Sequence, residues 1–299
     1  MNPTEAPRSA SGAALLVCAG AGLFGTIGTA RALGPDDALS SAITLVRLAV
    51  AISLMWIAVV ATGRHRMLAP VLRSGPVWGA GLAQAVFQVS FLSAVTRVGV
   101  ATGTLVAIGM TPLLAGLYQV VRTRHLVRTW VLATGCGLVG LVLLVGIGDR
   151  ADTVGLLLAL TASAAYATFI VLGGTIGARG LDITTVLPVV FTVAAAVQLP
   201  ALAFADWGWL TTDSGRWMVL YLALVPTVLA YALFNRGLVG VDSATASTVG
   251  LVEPLVATVL AVLVLDESLT LVQAVGAVLV GAGVLLAARA PEPYARMEA

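Results

Sequence analysis

Long runs of hydrophobic residues follow one another along the chain, and charged residues, glycines and prolines interrupt them. A helix needs roughly 20 mostly apolar residues to cross a bilayer. The interruptions divide the chain into ten stretches of this kind, and each stretch predicts one transmembrane helix. The predicted helices cover 12–33, 40–62, 75–96, 99–121, 128–148, 154–177, 183–205, 216–238, 241–264 and 270–289.

Two of the interruptions are very short. Only Arg97-Val98-Gly99 separates the third stretch from the fourth, and only Val239-Gly240 separates the eighth from the ninth. Each pair of stretches could be read as one long helix. The short interruptions occupy matching places in the two halves of the chain, which favours a tight helical hairpin at each.

Composition excludes a soluble domain. Of the 299 residues, 59% are hydrophobic and 10% are charged, and the mean hydropathy is +1.03. Soluble domains are about 25% charged. The net charge of +2 is too small to indicate nucleic-acid binding. The predicted fold class is an all-α integral membrane protein with ten transmembrane helices, whose surroundings are the lipid bilayer.

The basic residues, all of them Arg, gather on one side of this predicted topology. Basic residues collect on the cytoplasmic side of a membrane. We therefore expect cytoplasmic tails at 1–11 and 290–299. The predicted cytoplasmic set is Arg8, Arg64, Arg66, Arg73, Arg122, Arg124, Arg128, Arg179, Arg236, Arg289 and Arg296, against Arg31, Arg97, Arg150 and Arg216 on the other side.

The chain also repeats itself. A shift of 142 positions places Phe24 on Tyr166, Thr111 on Glu253 and Pro112 on Pro254. This predicts two units of five helices, at 12–148 and 154–289. An odd number of helices inserts the second unit upside down, and such inverted repeats are typical of secondary transporters.

The loops that follow the two matched prolines agree with this inversion. Arg122-Thr-Arg124 follows Pro112, whereas Asp266-Glu267 follows Pro254. Equivalent loops with opposite charge are expected when the two units face opposite sides of the membrane.

Glu253 is the only acid deep inside a predicted helix. An ionisable group in the bilayer indicates a partner or an aqueous cavity. Glu253 is predicted to be a proton-coupling carboxylate or an anion that receives a substrate amine; the structural alternative is an ion pair with an Arg. Its neighbour Pro254 is expected to kink the helix and to free the carbonyl group of Gly250.

Arg47 is the only Arg well inside a predicted helix, and it is the natural partner for Glu253. It stands seven residues after Ser40, close enough to the outer face to extend its guanidinium group to water. Ion pairing, substrate binding and extension to water are all compatible with this position.

Two further pairs of polar residues have helical spacing. Gln84 and Gln88 are one turn apart and share a face, and Tyr231 and Asn235 repeat that spacing in the eighth helix. Such faces are expected to look into the protein, toward a cavity or toward a neighbouring helix.

Aromatic residues on the first and sixth helices complete the candidate site. Phe24 and Tyr166 hold equivalent positions in the repeat, and Phe169 follows Tyr166 by one turn. They are predicted either to wall a binding cavity or to pack the helices.

No motif indicates a cofactor or a metal. Cys18 and Cys136 lie inside apolar stretches without a CxxC spacing, so they are interpreted as small hydrophobic residues. The sequence contains no Lys, which excludes a P-loop of the form GxxxxGK[ST]. Transport would therefore depend on an ion gradient or proceed by facilitated diffusion.

With these residues in place, the chain resembles the drug/metabolite transporter superfamily, in particular its EamA-type bacterial exporters. The resemblance covers 12–289 and is most specific at Leu251-Val-Glu-Pro254, Asp266-Glu-Ser-Leu-Thr270 and Gly276 to Gly281. Arg47 and Pro112 also match residues common in that family. Asp266 stands where the family usually has Gly.

The resemblance implies a substrate pathway lined by helices one, three, four, six, eight and nine. It implies export of small metabolites, amino-acid-like compounds or drugs across a bacterial inner membrane. The expected partners are a small-molecule substrate and, if transport is coupled to an ion gradient, protons. The rival interpretations are a non-transporting membrane sensor or scaffold and, with less support, a membrane-embedded enzyme. Monomer and dimer are equally compatible with the sequence.

Overall fold

The computed structural model describes residues 10–35, 40–125, 127–146, 152–200 and 207–289. All regular structure within these ranges is helical. Residues 1–9 of the predicted N-terminal tail and the whole predicted C-terminal tail lie outside them, as does Arg150 in a predicted outer loop.

The helices follow one another along the whole described chain. In the first half they are α1 (Ala10–Phe24), α2 (Thr26–Ala32), α3 (Ser40–Ala61), α4 (Leu68–Leu72), α5 (Gly75–Thr123) and α6 (Arg128–Val145). In the second half they are α7 (Thr153–Ala178), α8 (Ile183–Gln198), α9 (Asp213–Ala223), α10 (Ala230–Gly237), α11 (Ser243–Val249), α12 (Val252–Val264) and α13 (Leu271–Ala288).

The described chain contains eight helical segments long and apolar enough to cross a membrane, counting interrupted helices as one. The ten predicted stretches differ from these eight in two places. The third and fourth both lie in α5, and the seventh, predicted over 183–205, is the shorter apolar helix α8. The chain is thus a multi-pass helical membrane protein.

α5 folds back on itself at Gly99. Gly99 has φ 82° and ψ 165°, a conformation that glycine adopts far more readily than other residues. A Cβ placed on Gly103 would lie 3.2 Å from the Cα of Val95, whereas eight residues along a straight helix span about 12 Å. The two arms of α5 therefore form the tight hairpin predicted at Arg97-Val98-Gly99.

Three membrane helices are interrupted along their length. α1 and α2 are separated at Gly25, and Leu224–Leu229, which contains Pro226, forms a π-helical segment between α9 and α10. α11 and α12 are separated just before Glu253. The corresponding first-half arm of α5 keeps helical dihedral angles through Pro112.

The kink beside Pro254 differs from the prediction in one detail. The carbonyl oxygen of Gly250 is not left free, because it accepts a hydrogen bond of 3.0 Å from the backbone N–H of Glu253. The backbone tightens to an i to i+3 turn at this point, a common way to satisfy helix termini.

Close glycine contacts hold α6 against α13. A Cβ on Gly140 would lie 2.7 Å from the carbonyl oxygen of Gly276, and a Cβ on Gly276 would lie 2.6 Å from the backbone nitrogen of Leu144. Gly135, by contrast, faces open space. Close backbone approach at small residues is how helices associate in lipid, so Gly140 and Gly276 pack the two helices against each other.

Candidate functional site

The three helix interruptions meet at one place. Phe24 is the last residue of α1, and its ring centroid lies 4.7 Å from that of Tyr231, which follows the π-helical segment. A Cβ on Gly25 would overlap the carbonyl oxygen of Glu253. Phe24, Tyr231 and Glu253, on three different helices, therefore surround one site.

Glu253 is half-buried in the first turn of α12. Its carboxylate makes no hydrogen bond and no ion pair to any residue that the structure describes. The backbone N–H of Glu253 is itself used in the turn to Gly250. The hydrogen-bonding capacity of the carboxylate therefore stays unused within the described chain.

Gln84 lies on the first arm of α5 and is 1% exposed. Its Nε2 donates a hydrogen bond of 2.7 Å to the hydroxyl group of Tyr231, whereas its Oε1 has no partner among the described residues. Gln84 therefore fixes the Tyr231 ring and leaves one acceptor unfilled in the interior.

Arg47 points inward rather than extending to water. Its terminal nitrogen Nη2 donates to Oε1 of Gln88 at 3.5 Å, the long limit for a hydrogen bond. Arg47 Nε and Gln88 Nε2 are buried without partners in the described chain. No ion pair joins Arg47 to Glu253, both of which the structure describes.

Asn235 stands apart from this arrangement. Its Nδ2 donates 2.9 Å to the carbonyl oxygen of Tyr231 in its own helix. A Cβ on Gly173 of α7 would lie 3.2 Å from its Oδ1. The amide thus occupies a contact between α10 and α7, and it reaches the site only through the backbone of Tyr231.

Aromatic rings enclose the site from several helices. Tyr166 stacks on Phe87 at 4.9 Å, while Phe169 lies 5.9 Å from Tyr231. Sequence reasoning missed two further rings. Phe191 packs edge-on against Tyr231 at 4.7 Å, and Phe234 lies 5.9 Å from Phe24.

A local signal existed for only one of these two rings. Phe234 follows Tyr231 by three residues, so helical spacing places it on the same side. Phe191 lies on α8, the helix corresponding to the seventh predicted stretch, which the implied pathway leaves out, and only tertiary packing brings it to the site.

The first-half counterpart of Glu253 is fully paired. Thr111 is 1% exposed, donates 2.8 Å to the carbonyl oxygen of Ala107, and shares a hydrogen bond of 3.1 Å with Ser163. The 142-residue shift places Ser163 on Ala21, which has no hydroxyl group. The shift therefore matches Thr111, whose hydroxyl group is hydrogen-bonded to Ser163, with Glu253, whose carboxylate has no partner among the described residues.

The membrane helices gather charged and amide side chains between them. The chain is therefore a polytopic membrane protein with a polar interior site. A family model described as the EamA-like transporter family matches residues 153–289. An uncharacterized transporter of Bacillus subtilis (strain 168), YwfM, is 34% identical over 289 residues, which cover 95% of this chain and 96% of the relative. The chain therefore belongs to the EamA-like transporter family, and the resemblance predicted from sequence is confirmed.

A solved crystal structure shares the fold. It aligns with a TM-score of 0.79 and 21% identity, covering 92% of this chain and 96% of the other. At this identity the match shows a common fold.

Proposed function

We propose that the protein is a secondary transporter that exports small metabolites, amino-acid-like compounds or drugs across a bacterial inner membrane. The observation that carries this proposal is the unpartnered carboxylate of Glu253 at the meeting point of three interrupted helices. Transporters place substrate and ion sites at discontinuous helices near the bilayer midplane. A sensor or scaffold has no need for an uncompensated charge at that position, because such a charge costs several kcal/mol.

We propose further that the chain crosses the membrane ten times, as two inverted units at 12–148 and 154–289. The 49 residues of α5 would extend about 74 Å as one straight helix, far beyond a hydrocarbon core of about 30 Å. The fold-back at Gly99 supports two crossings instead. α8, with the short helical turn after Gln198, supplies the remaining crossing.

The family match over 153–289 supports the second unit as a structural unit of its own. The clustering of Arg residues supports cytoplasmic termini. Exposure of Arg64, Arg66 and Arg73 on the segment after α3 agrees with a cytoplasmic loop at that point.

In this mechanism Glu253 binds a proton and a cationic group of the substrate in alternation. Among the described residues its carboxylate has no partner that would compete for either. The interruptions at Gly25, at the π-helical segment and before Glu253 let the surrounding half-helices tilt separately. The exchange of a proton for the substrate at Glu253 is then linked to the opening of the site toward one side of the membrane. Facilitated diffusion through the same site is the uncoupled alternative.

The test is transport in proteoliposomes with an imposed pH gradient, using a panel of zwitterionic, weakly cationic and amphipathic solutes. Glu253→Gln is expected to abolish accumulation driven by the pH gradient. Counterflow exchange needs binding but no gradient, so measuring it in the same variant distinguishes a loss of coupling from a loss of binding. Glu267→Gln, which removes an exposed acid after α12, is the matched control and is expected to behave as the wild type. Full gradient-driven accumulation by Glu253→Gln would contradict the proposed role.

A further inference from the structure

Arg47 carries a charge that the described protein leaves uncompensated. Its guanidinium group has one long hydrogen bond to Gln88, a buried Nε without a partner, and no ion pair among the described residues. A charged side chain within a membrane is costly unless an anion or water accompanies it. The position therefore favours an anionic ligand.

Gln88 adds a second unfilled donor beside this cation. It is 9% exposed. Arg47 can only donate, so the oxygen of the Gln88 amide faces the guanidinium group and the NH2 group is directed elsewhere. That Nε2 is buried without a partner in the part of the chain that the structure describes. A cationic N–H next to a neutral N–H is a donor set that suits the two oxygens of a carboxylate.

Tyr231 connects this donor set to Glu253. Its hydroxyl group accepts a hydrogen bond of 2.7 Å from Gln84, one helical turn before Gln88. Its ring packs against the end of α1, and the break after α1 lies against the carbonyl group of Glu253. Arg47 and Glu253 form no ion pair with each other. Two opposite charges, neither with a counter-ion among the described residues, thus lie around Tyr231. A ligand that satisfies both must itself carry both charges.

We propose that Arg47 and Gln88 bind the carboxylate of a zwitterionic solute whose ammonium group is received by Glu253. The assignment rests on the proposed transport function and names its substrate class. Tyr166 stacks on Phe87, and its ring centroid lies 6.5 Å from that of Phe234, so these rings provide an apolar wall for the remainder of the solute. A simple amine leaves Arg47 uncompensated, and a simple acid leaves Glu253 uncompensated.

Three solutes with one carbon skeleton separate these cases: leucine, leucinamide and 4-methylpentanoate. Counterflow in proteoliposomes is expected to prefer leucine over the other two by about tenfold or more, since a charge-assisted hydrogen bond contributes about 1.5–3 kcal/mol. Arg47→Gln is expected to lower leucine transport by about tenfold and so to remove the preference of leucine over leucinamide.

Control variants distinguish ligand binding from a structural role. Gln88→Met, which keeps the charge of Arg47, is expected to weaken leucine transport selectively, and Arg47→Lys is expected to restore part of the preference. Arg216→Gln removes an exposed Arg that pairs with Asp213 at 3.3 Å, and it is expected to change nothing. The thermal unfolding midpoint of each purified variant reports whether it is folded.

The outcomes separate this inference from the transport proposal. If the wild type moves leucinamide as well as leucine, the carboxylate site is wrong while transport stands. If Arg47→Gln lowers the transport of both solutes equally in a folded protein, Arg47 has a structural role and the inference is overturned. If the wild type moves no zwitterionic solute but moves cationic or uncharged solutes of the wider panel, the substrate class is wrong and the transport function remains.

Discussion

The backbone of Gly25 lies directly against the carbonyl group of Glu253. Gly25 separates α1 from α2, and Glu253 lies in the first turn of α12, so the contact joins the interruptions of two membrane helices. A Cβ at position 25 would also lie 3.0 Å from the Cβ of Val256. The position of the Glu253 carboxylate therefore depends on a residue without a side chain in another helix.

Gly25→Ala is expected to disturb this crossing. Its added methyl group meets the Glu253 backbone, and overpacking of this kind costs about 1–3 kcal/mol. We expect a lower thermal unfolding midpoint and reduced transport. Gly28→Ala is the control in the neighbouring helix, where a Cβ meets nothing within 4 Å. Equal midpoints for the two variants would show that the contact is not tight.

The α6 and α13 contact provides a second comparison of glycines. Gly140→Ala places a Cβ 2.5 Å from the backbone nitrogen of Val280, and we expect it to destabilise the protein by about 1–3 kcal/mol. Gly135→Ala faces open space and is expected to be neutral. Unfolding of both variants in the same detergent measures the difference. A destabilised Gly135→Ala beside an unchanged Gly140→Ala would contradict the packing described for α6.

Thr111 tests the chemical asymmetry of the two halves. Thr111→Val leaves the buried hydroxyl of Ser163 without its partner, which costs about 1–3 kcal/mol of stability. The double variant Thr111→Val/Ser163→Ala removes both polar groups and is expected to recover part of that loss. We expect gradient-driven transport to survive in each folded variant. If a folded Thr111 variant lost coupling, the assignment of the coupling group to Glu253 in the second half would be contradicted.

The capping residue Asp152 is expected to make the stability of the folded protein depend on pH, and it lies outside the membrane-spanning segments. It caps α7, and the backbone N–H of Gly155, with a smaller effect from Arg97, lowers the pKa of its carboxyl group below the ordinary 3.8. A lowered pKa in the folded state stabilises the protein above the unfolded pKa, and this contribution is lost as the pH falls through the folded value.

The comparison is between the wild type and Asp152→Asn, which keeps a capping side chain but loses the charge. The wild type is expected to have the higher unfolding midpoint at neutral pH, and the difference should shrink as the pH falls below 3.8. A difference that stays constant over this range would show that the charge of Asp152 does not contribute.

The parts of the fold that depend on local sequence could be predicted. The hairpin at Gly99 follows from a short interruption with a glycine, since few other residues adopt its dihedral angles. The break before Pro254 agrees with the missing N–H of proline, although α5 stays helical through Pro112. The break at Gly25 was not predicted, since a single glycine lowers helix propensity without fixing where a helix ends.

The candidate site was predictable as a set of residue types but not as an arrangement. Isolation in an apolar run identified Glu253, and helical spacing identified Gln84 and Gln88. Their partners depend on tertiary packing, as the hydrogen bond between Gln84 and Tyr231 shows, because the two residues are 147 positions apart. Nothing local in the sequence indicates that Arg47 turns toward Gln88 instead of toward water.

The central claim is that Glu253 faces a water-accessible substrate site inside the membrane. The most direct test replaces Cys18 and Cys136 by Ala, introduces Glu253→Cys, and measures its reaction with a charged, membrane-impermeant thiol reagent. Val278→Cys is the control, because Val278 is 71% exposed near the middle of the apolar helix α13 and is expected to face lipid. We predict that the cysteine at 253 reacts, while the one at 278 does not react. A folded protein whose cysteine at 253 is as unreactive as that at 278 would contradict the account.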